Sequence, residues 1–314
     1  MQRRLLAIGC LFAVLGWGAA TNAEPGRYFI AIHCDPQYAD AADWNALGAL
    51  VAAAEGYDQV LTIQLNPQWG PIIASALDGP GDIAHWATDG HEIGGHHHVL
   101  THPGGWDGYS NQPEAETASG YLGDMDQWLA DLEAILPGSI VVRTVASKDF
   151  DFPAGVEFQT GGTGSTPGPA SATSTPVLKN LAGGQVWNIN HGALIAGGTW
   201  QVDEMMTAFD AATSDEVFGV AVHPHDYYEE NHEEVDRWLA FLHDRDPDAS
   251  RSYTAGAVLQ ENVDSLPAVP SSSSASRALQ IGTLLTVGIL ASWPSRGKWW
   301  RRRQPNPGPG SVSP

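Results

Sequence analysis

The segment from Gly90 to Tyr109, GHEIGGHHHVLTHPGGWDGY, holds five of the chain's twelve histidines. A cluster that dense limits what the chain can fold into, because the imidazoles must either converge on a common partner or scatter over a polar loop. Neutral imidazole is a good ligand for zinc and similar divalent ions. If Glu92 to His98 is extended, side chains alternate between faces. Gly94, His96 and His98 then point one way, while Ile93, Gly95 and His97 point the other. A hydrolytic site usually combines two or three His/Asp ligands with one open position, and two imidazoles on one face begin such a set. His102, just before Pro103, adds a further candidate in the following loop.

Other stretches supply the frame. Tyr28 to Asp35, YFIAIHCD, is an apolar run ended by Pro36. It reads as a buried first strand with His33 and Asp35 on one face at its C-terminal end. Asp43 to Glu55 carries the inner stripe of a helix in Trp44, Leu47, Leu50, Val51 and Ala54, with Asp40 or Asp43 as cap. Val60 to Leu65 reads as a strand, with short helices over 71–77 and 82–88. A helix is expected from Glu114 to Leu136, with Gly120 and Gly123 as possible breaks, and a strand from Ile140 to Ala146. Residues 160–176, rich in Gly, Ser, Thr and Pro, read as a loop. Gln185 to Ile195 reads as a strand bringing His191 toward the cleft. Val217 to Val222 delivers His223-Pro224-His225-Asp226 at its end and precedes a helix over 229–244. Ala255 to Gln260 is expected to be a final strand. Alternation of strands and helices argues for a parallel sheet or barrel, whose strand C-termini are where chemistry collects.

Both ends look like targeting signals. Arg3 and Arg4 precede an apolar run to Gly18, and Thr21-Asn22-Ala23 offers small residues for cleavage after Ala23, so residues 1–23 read as a signal peptide. Residues 269–314 combine a Ser/Pro linker, an apolar stretch from Ala278 to Trp293 and a basic tail. That arrangement suits a short membrane span with its basic end in the cytoplasm. It resembles the C-terminal sorting signals of the PEP-CTERM type, which implies a sorting or processing enzyme as partner. The domain over 24–268 is thereby expected outside the membrane, periplasmic or at the cell surface, tethered unless the segment is cleaved. All 36 acidic residues lie in that domain against seven basic ones, so nucleic acid and anionic membrane surfaces are poor partners. Only Cys34 remains after signal removal, which leaves no intrachain disulfide.

The histidine segment also resembles the second motif of the NodB-type polysaccharide deacetylases. There Gly-His-Glu-Ile-Gly leads through one residue to a metal-binding His, and a second metal His followed by Pro comes four residues later. His96 matches the first. Four residues on stands Leu100, and the His-Pro pair arrives at His102, as if two residues had been inserted. His102 is thus the first choice for the second ligand, and His98 the next. Tyr28 to Asp35 fits the first motif, where adjacent aspartates serve as catalytic base and metal ligand. Here the pair reads Cys34-Asp35. Asp35 can be the metal carboxylate, and the base falls to Asp35 itself, to His33 or to a hydroxide on the metal, or the site binds without catalysing. Arg143 stands for the arginine of the third motif, and His223 for the catalytic His of the last.

The resemblance implies an irregular (β/α) barrel holding one divalent metal, zinc by preference, and hydrolysing N- or O-acetyl groups of a surface or envelope polysaccharide. The metal would polarise the carbonyl and lower the pKa of its water toward roughly 7, with His223 as general acid. Two rivals stand beside it. One is a metal-dependent hydrolase of a non-sugar amide or ester. The other is a non-catalytic carbohydrate-binding or metal-binding module on the same barrel.

Overall fold

The computed structural model describes residues 25–161, 168–228 and 232–265. The expected signal peptide and the C-terminal segment over 269–314 lie outside them. Among the described residues no helix is long and apolar enough to cross a membrane.

The apolar run RYFIAIH forms β1 (Arg27–His33), buried at every residue after the first. Asp40 caps α1 (Ala41–Glu55) by accepting from the backbone of Ala42 and Asp43. Buried Trp44, Leu47, Leu50, Val51 and Ala54 repeat at helical spacing on the face of α1 turned to the sheet. Next come β2 (Leu61–Leu65), α2 (Gly70–Ser75), α3 (Gly79–Thr88) and β3 (Glu92–His96). The long helix expected from Glu114 forms only as α4 (Met125–Ile135). Gly120 sits at φ +89°, a left-handed conformation that interrupts a helix, and Asp124 then caps the new start through Gln127.

The strand expected from Ile140 shrinks to β4 (Thr144–Ala146) and is followed by β5 (Phe158–Thr160). Beyond it lie α5 (Pro169–Ala172), β6 (Thr173–Ser174), β7 (Val177–Leu181) and β8 (Gly184–Ile189). The expected strand over Gln185 to Ile195 breaks after Ile189 and resumes as β9 (Gly192–Ala193) and β10 (Ile195–Ala196). The described residues end with β11 (Thr199–Trp200), α6 (Val202–Ala211), β12 (Val217–Val222), α7 (Glu233–Arg245) and α8 (Ala255–Ser265).

The fold is mixed α/β around a curled, mostly parallel sheet. Its parallel strands run in the order β12-β1-β2-β3-β4-β5-β8, with β7 antiparallel on β8, β6 antiparallel on β12 and β9 parallel to β12. Because Ile32 is level with both Val222 and Ile63, and Ile63 with Ile93, the C-terminal ends of β12, β1, β2 and β3 emerge together.

The sheet separates two apolar layers. Helices cover one face through Tyr28, Ile30, Ile32, Leu47, Trp69, Trp128 and their neighbours. The other face packs Phe29, Ala31, Phe158, Ile189 and Val217 against Ala255, Val258 and Leu259. Each Val, Ile, Leu or Phe side chain so removed from water is worth about 1.5–3 kcal/mol. That second layer corrects the expectation for Ala255 to Gln260, which is the start of α8 and not a strand. Ala255, Val258 and Leu259 fall at i, i+3 and i+4, so one helical stripe fills the inner face. The α8 start is tied to the N-terminal ends of β2 and β3, with Ala255 donating to Thr62 Oγ1 at 2.8 Å and Gly256 to Glu92 Oε2 at 2.8 Å. One end of the inner space is thereby filled with apolar side chains. The histidines collect at the other.

Candidate metal and acid–base site

The strand ends supply the site in sequence order. β1 brings His33 and, just beyond it, Asp35; β3 brings His96 and leads to His98; the junction of β8 and β9 brings His191; β12 leads to His223. With His102 they line one cavity of about 420 Å³.

Asp35, His96 and His98 form its floor. The Nε2 atoms of His96 and His98 are 2.9 Å apart, and each is 3.1 Å from the same carboxylate oxygen of Asp35. All three residues are buried. Burial opposes the Asp35 charge, but the closely approaching imidazoles of His96 and His98 outweigh it and hold the carboxyl well below its usual range. Burial drives His96 down to about 3, so its ring is neutral. His98 Nδ1 sits 2.8 Å from the Gly105 carbonyl, which can only accept, so Nδ1 carries the proton and Nε2 presents a lone pair.

A single proton, on His96 Nε2, is then all that can lie among three acceptor atoms, and it leaves the buried Nδ1 of His96 without a partner. Two imidazole nitrogens and a carboxylate oxygen converging in this way fit a divalent cation, and the Gly105 carbonyl fixes the ligating tautomer of His98 from behind.

His102 lies outside this group. Its ring packs on that of His98 with centroids 3.7 Å apart. Its Nδ1 accepts from the Gly104 backbone at 3.1 Å. Burial lowers it to about 4, so the neutral ring carries its proton on Nε2.

His223 stands over the floor, with Nε2 3.9 Å from the shared Asp35 oxygen. Asp226 Oδ2 accepts from the His223 backbone nitrogen at 2.8 Å and from Nδ1 at 3.0 Å. Burial lowers the His223 pKa, but that hydrogen bond and the charges of Asp35 and Asp226 overcome it, and the net shift is upward. The shift favours the protonated ring, whose Nε2 is turned toward the cavity. His33 stacks on His96 at 4.1 Å and meets His191 edge-on at 4.9 Å. Burial, reinforced by His96 and other neighbouring imidazoles, lowers His33 well below its ordinary value. Its Nε2 has no hydrogen-bond partner.

Cys34 and one expected participant, Arg143, face elsewhere. Cys34 packs in the apolar layer beneath α1 and contributes nothing to the cavity wall. Burial pushes its thiol well above the usual range. Arg143, just before β4, is three residues from the cavity-lining Ala146 and so at the opposite end of the sheet. Its guanidinium binds Glu157 and Gln260.

Sequence reasoning missed the support around these groups. Asp107 Oδ2 accepts from His97 Nδ1 (2.9 Å), the His98 backbone (3.2 Å), Trp128 Nε1 (3.1 Å) and Asn66 Nδ2 (3.0 Å). The same Asn66 nitrogen donates to the His96 carbonyl at 2.8 Å. These bonds hold the backbone of His96 and His98. Asp107 had a visible signal, as an acid within the histidine segment, and Asp226 another, three residues after His223; Asn66 had none.

No family model matches the chain, and no curated protein does. Among solved structures it is similar to a crystal structure described as "putative polysaccharide deacetylase from Mycobacterium smegmatis", at 11% identity and a TM-score of 0.48, over 79% of this chain and 96% of that one.

Proposed function

We propose that this protein is a metal-dependent hydrolase that removes acetyl groups from an envelope or extracellular polysaccharide. One observation carries the reading: the Asp35, His96 and His98 ligand atoms and the His223–Asp226 pair face each other in a single cavity. Asp35, His96 and His98 would hold the ion, with zinc the first choice for this donor set. When bound, the ion supplies Lewis-acid polarisation of an acyl carbonyl and acidification of water.

The chain's own groups supply proton transfer and orientation. His223 holds a proton at Nε2 for the departing amine or alkoxide, while Asp226 fixes the ring through Nδ1. His33, neutral and unpartnered at Nε2, suits the accepting role that Cys34 cannot fill. We also read the curled sheet as an irregular barrel. The segment that pairs with β5 through β8 pairs with β12 through β9 after only two residues, which supports closure there. Export, and tethering by residues 269–314, are part of the proposal and rest on the sequence of the two ends.

The test measures metal in the full-length chain and in His96→Ala by mass spectrometry, then acetate release from a panel of acetylated glycans, esters and amides. One equivalent of metal that depends on His96 and is lost in the variant, with release from a glycan, supports the proposal. A wild type that takes up no zinc or cobalt sinks it. Release from non-sugar amides or esters alone moves the assignment to a different hydrolase. The burial of Cys34 away from the cavity favours one other reading, a glycan-binding module without turnover, which would bind acetylated glycan and metal and release no acetate.

A further inference from the structure

The turn that follows β12 presents a second ligand set behind the first. His223, His225 and Asp226 each offer a donor atom within 4.8 Å of the other two. The His223 and His225 rings are stacked at 4.9 Å, and Asp226 reaches both, with Oδ2 3.0 Å from His223 Nδ1 and Oδ1 3.6 Å from His225 Nε2. Asp226 is buried, while both histidines keep about a quarter of their side chains exposed, so the set is open to solvent from one side.

What marks this set out is the far side of His225. Its Nδ1 has no hydrogen-bond partner and faces Asp43 Oδ1 at 4.0 Å. Asp43 is fully buried on α1. Its Oδ2 accepts from Tyr228 at 2.8 Å, but Oδ1 has no partner. His225 thus lies between two carboxylates, one at each nitrogen. A neutral ring has one proton and can serve only one of them, leaving the other opposite a lone pair. A cation at Nε2 resolves the mismatch. Nδ1–H then turns to Asp43, giving the carboxylate–histidine–metal order that fixes a ligand's tautomer, and Nε2 joins Asp226 and His223 Nδ1 around the ion.

We propose that His223 Nδ1, His225 Nε2 and the Asp226 carboxylate form a second site for a divalent transition metal, supported from behind by Asp43. Two imidazoles and a carboxylate suit zinc, cobalt or nickel and not calcium or magnesium, which prefer oxygen. Filling the site displaces the proton between His223 Nδ1 and Asp226. That proton leaves to solvent, and the neutral ring can no longer act as the acid. On the hydrolase reading above, a second equivalent of metal is therefore inhibitory.

The experiment titrates the purified full-length chain, first stripped by chelator, with zinc in equilibrium dialysis and with cobalt followed by visible absorption. The expected result is two equivalents in the wild type. His225→Ala and His225→Gln each keep one, and His96→Ala keeps the one that those variants lose. Imidazole 15N spectra of the wild type need no variant: the second equivalent shifts His223 Nδ1 and His225 Nε2. A wild type that takes only one equivalent, as expected if His225 is instead an imidazolium bridging Asp43 and Asp226, overturns the proposal. So does a second equivalent that persists without His225 or leaves both nitrogens unshifted. Acetate release plays no part in these readings, so loss of the hydrolase assignment and loss of this site are told apart.

Discussion

A single oxygen of Asp226 holds His223 at both its backbone nitrogen and its Nδ1, at 2.8 and 3.0 Å. Ring orientation therefore depends on one carboxylate, which also does most to raise the proton affinity. In Asp226→Asn the side chain loses its charge and can present a donor to Nδ1, so the ring loses the partner that keeps it protonated. Turnover should fall by about 10²- to 10⁴-fold, the usual worth of a positioned general acid. The one equivalent held by Asp35, His96 and His98 should stay. Acetate release measured beside metal content checks this, and a variant with unaltered turnover would remove His223 from the acid role.

His98 and His102 separate by the same kind of measurement. His98→Ala deletes one corner of the Asp35, His96 and His98 triangle and should abolish tight metal binding at that site. His102→Ala removes a ring that packs on His98 and should retain one equivalent, with affinity reduced by no more than the roughly 10- to 100-fold typical of outer-shell changes. The reverse pattern, metal kept without His98 and lost without His102, would reassign the second ligand.

His97 makes stability depend on pH. Burial pushes its pKa down, but the hydrogen bond to Asp107 and the charges of Asp107 and Asp151 reverse that and raise it to about 9. A group whose folded pKa exceeds its unfolded value near 6.5 stabilises fully below the unfolded value and loses that contribution as pH climbs through the folded one. The melting temperature should therefore decline from about pH 6.5 to about pH 9. In Asp107→Ala, which leaves the buried imidazolium with one partner fewer, the decline should flatten, and the variant should lose about 3–5 kcal/mol at neutral pH.

Gly95 admits no side chain. A Cβ there would stand 2.4 Å from the Trp128 ring and 2.9 Å from Leu132, the two α4 residues that seal the sheet beneath the ligand strand. Gly95→Ala should cost about 1–3 kcal/mol by overpacking. Because Trp128 also donates to Asp107, the same variant should weaken metal retention. Denaturant unfolding with metal titration tests both, and a variant of wild-type stability would show that α4 can move aside.

Much of this was legible in the chain. Burial on both faces requires continuous apolar runs, so β1, β2 and β12 could be read directly, along with the polar residues at their ends. Strand alternation is a local property with a period of two. It correctly put His96 and His98 on one face and sent His97 to the other, and Asp35 and His223 followed as strand-end groups. The different settings of His98 and His102 were not local: His98 Nδ1 meets the Gly105 carbonyl and His102 Nδ1 the Gly104 nitrogen, contacts that spacing does not show. AGAVLQ at the start of α8 is apolar enough for strand or helix, and only the inner face of the sheet, which needed a stripe at helical spacing, decided it. Arg143 could be placed beside its strand, which starts one residue later, but not at which end of the sheet that strand began. Asp226, Asp107 and Asn66 gain their meaning from the partners they meet, His223 in one case and the histidine segment in the others. Residue order determined which groups could ligate and donate protons; packing alone decided which of them face one another, because tautomer, orientation and proton affinity are set by neighbours that the chain brings from far away.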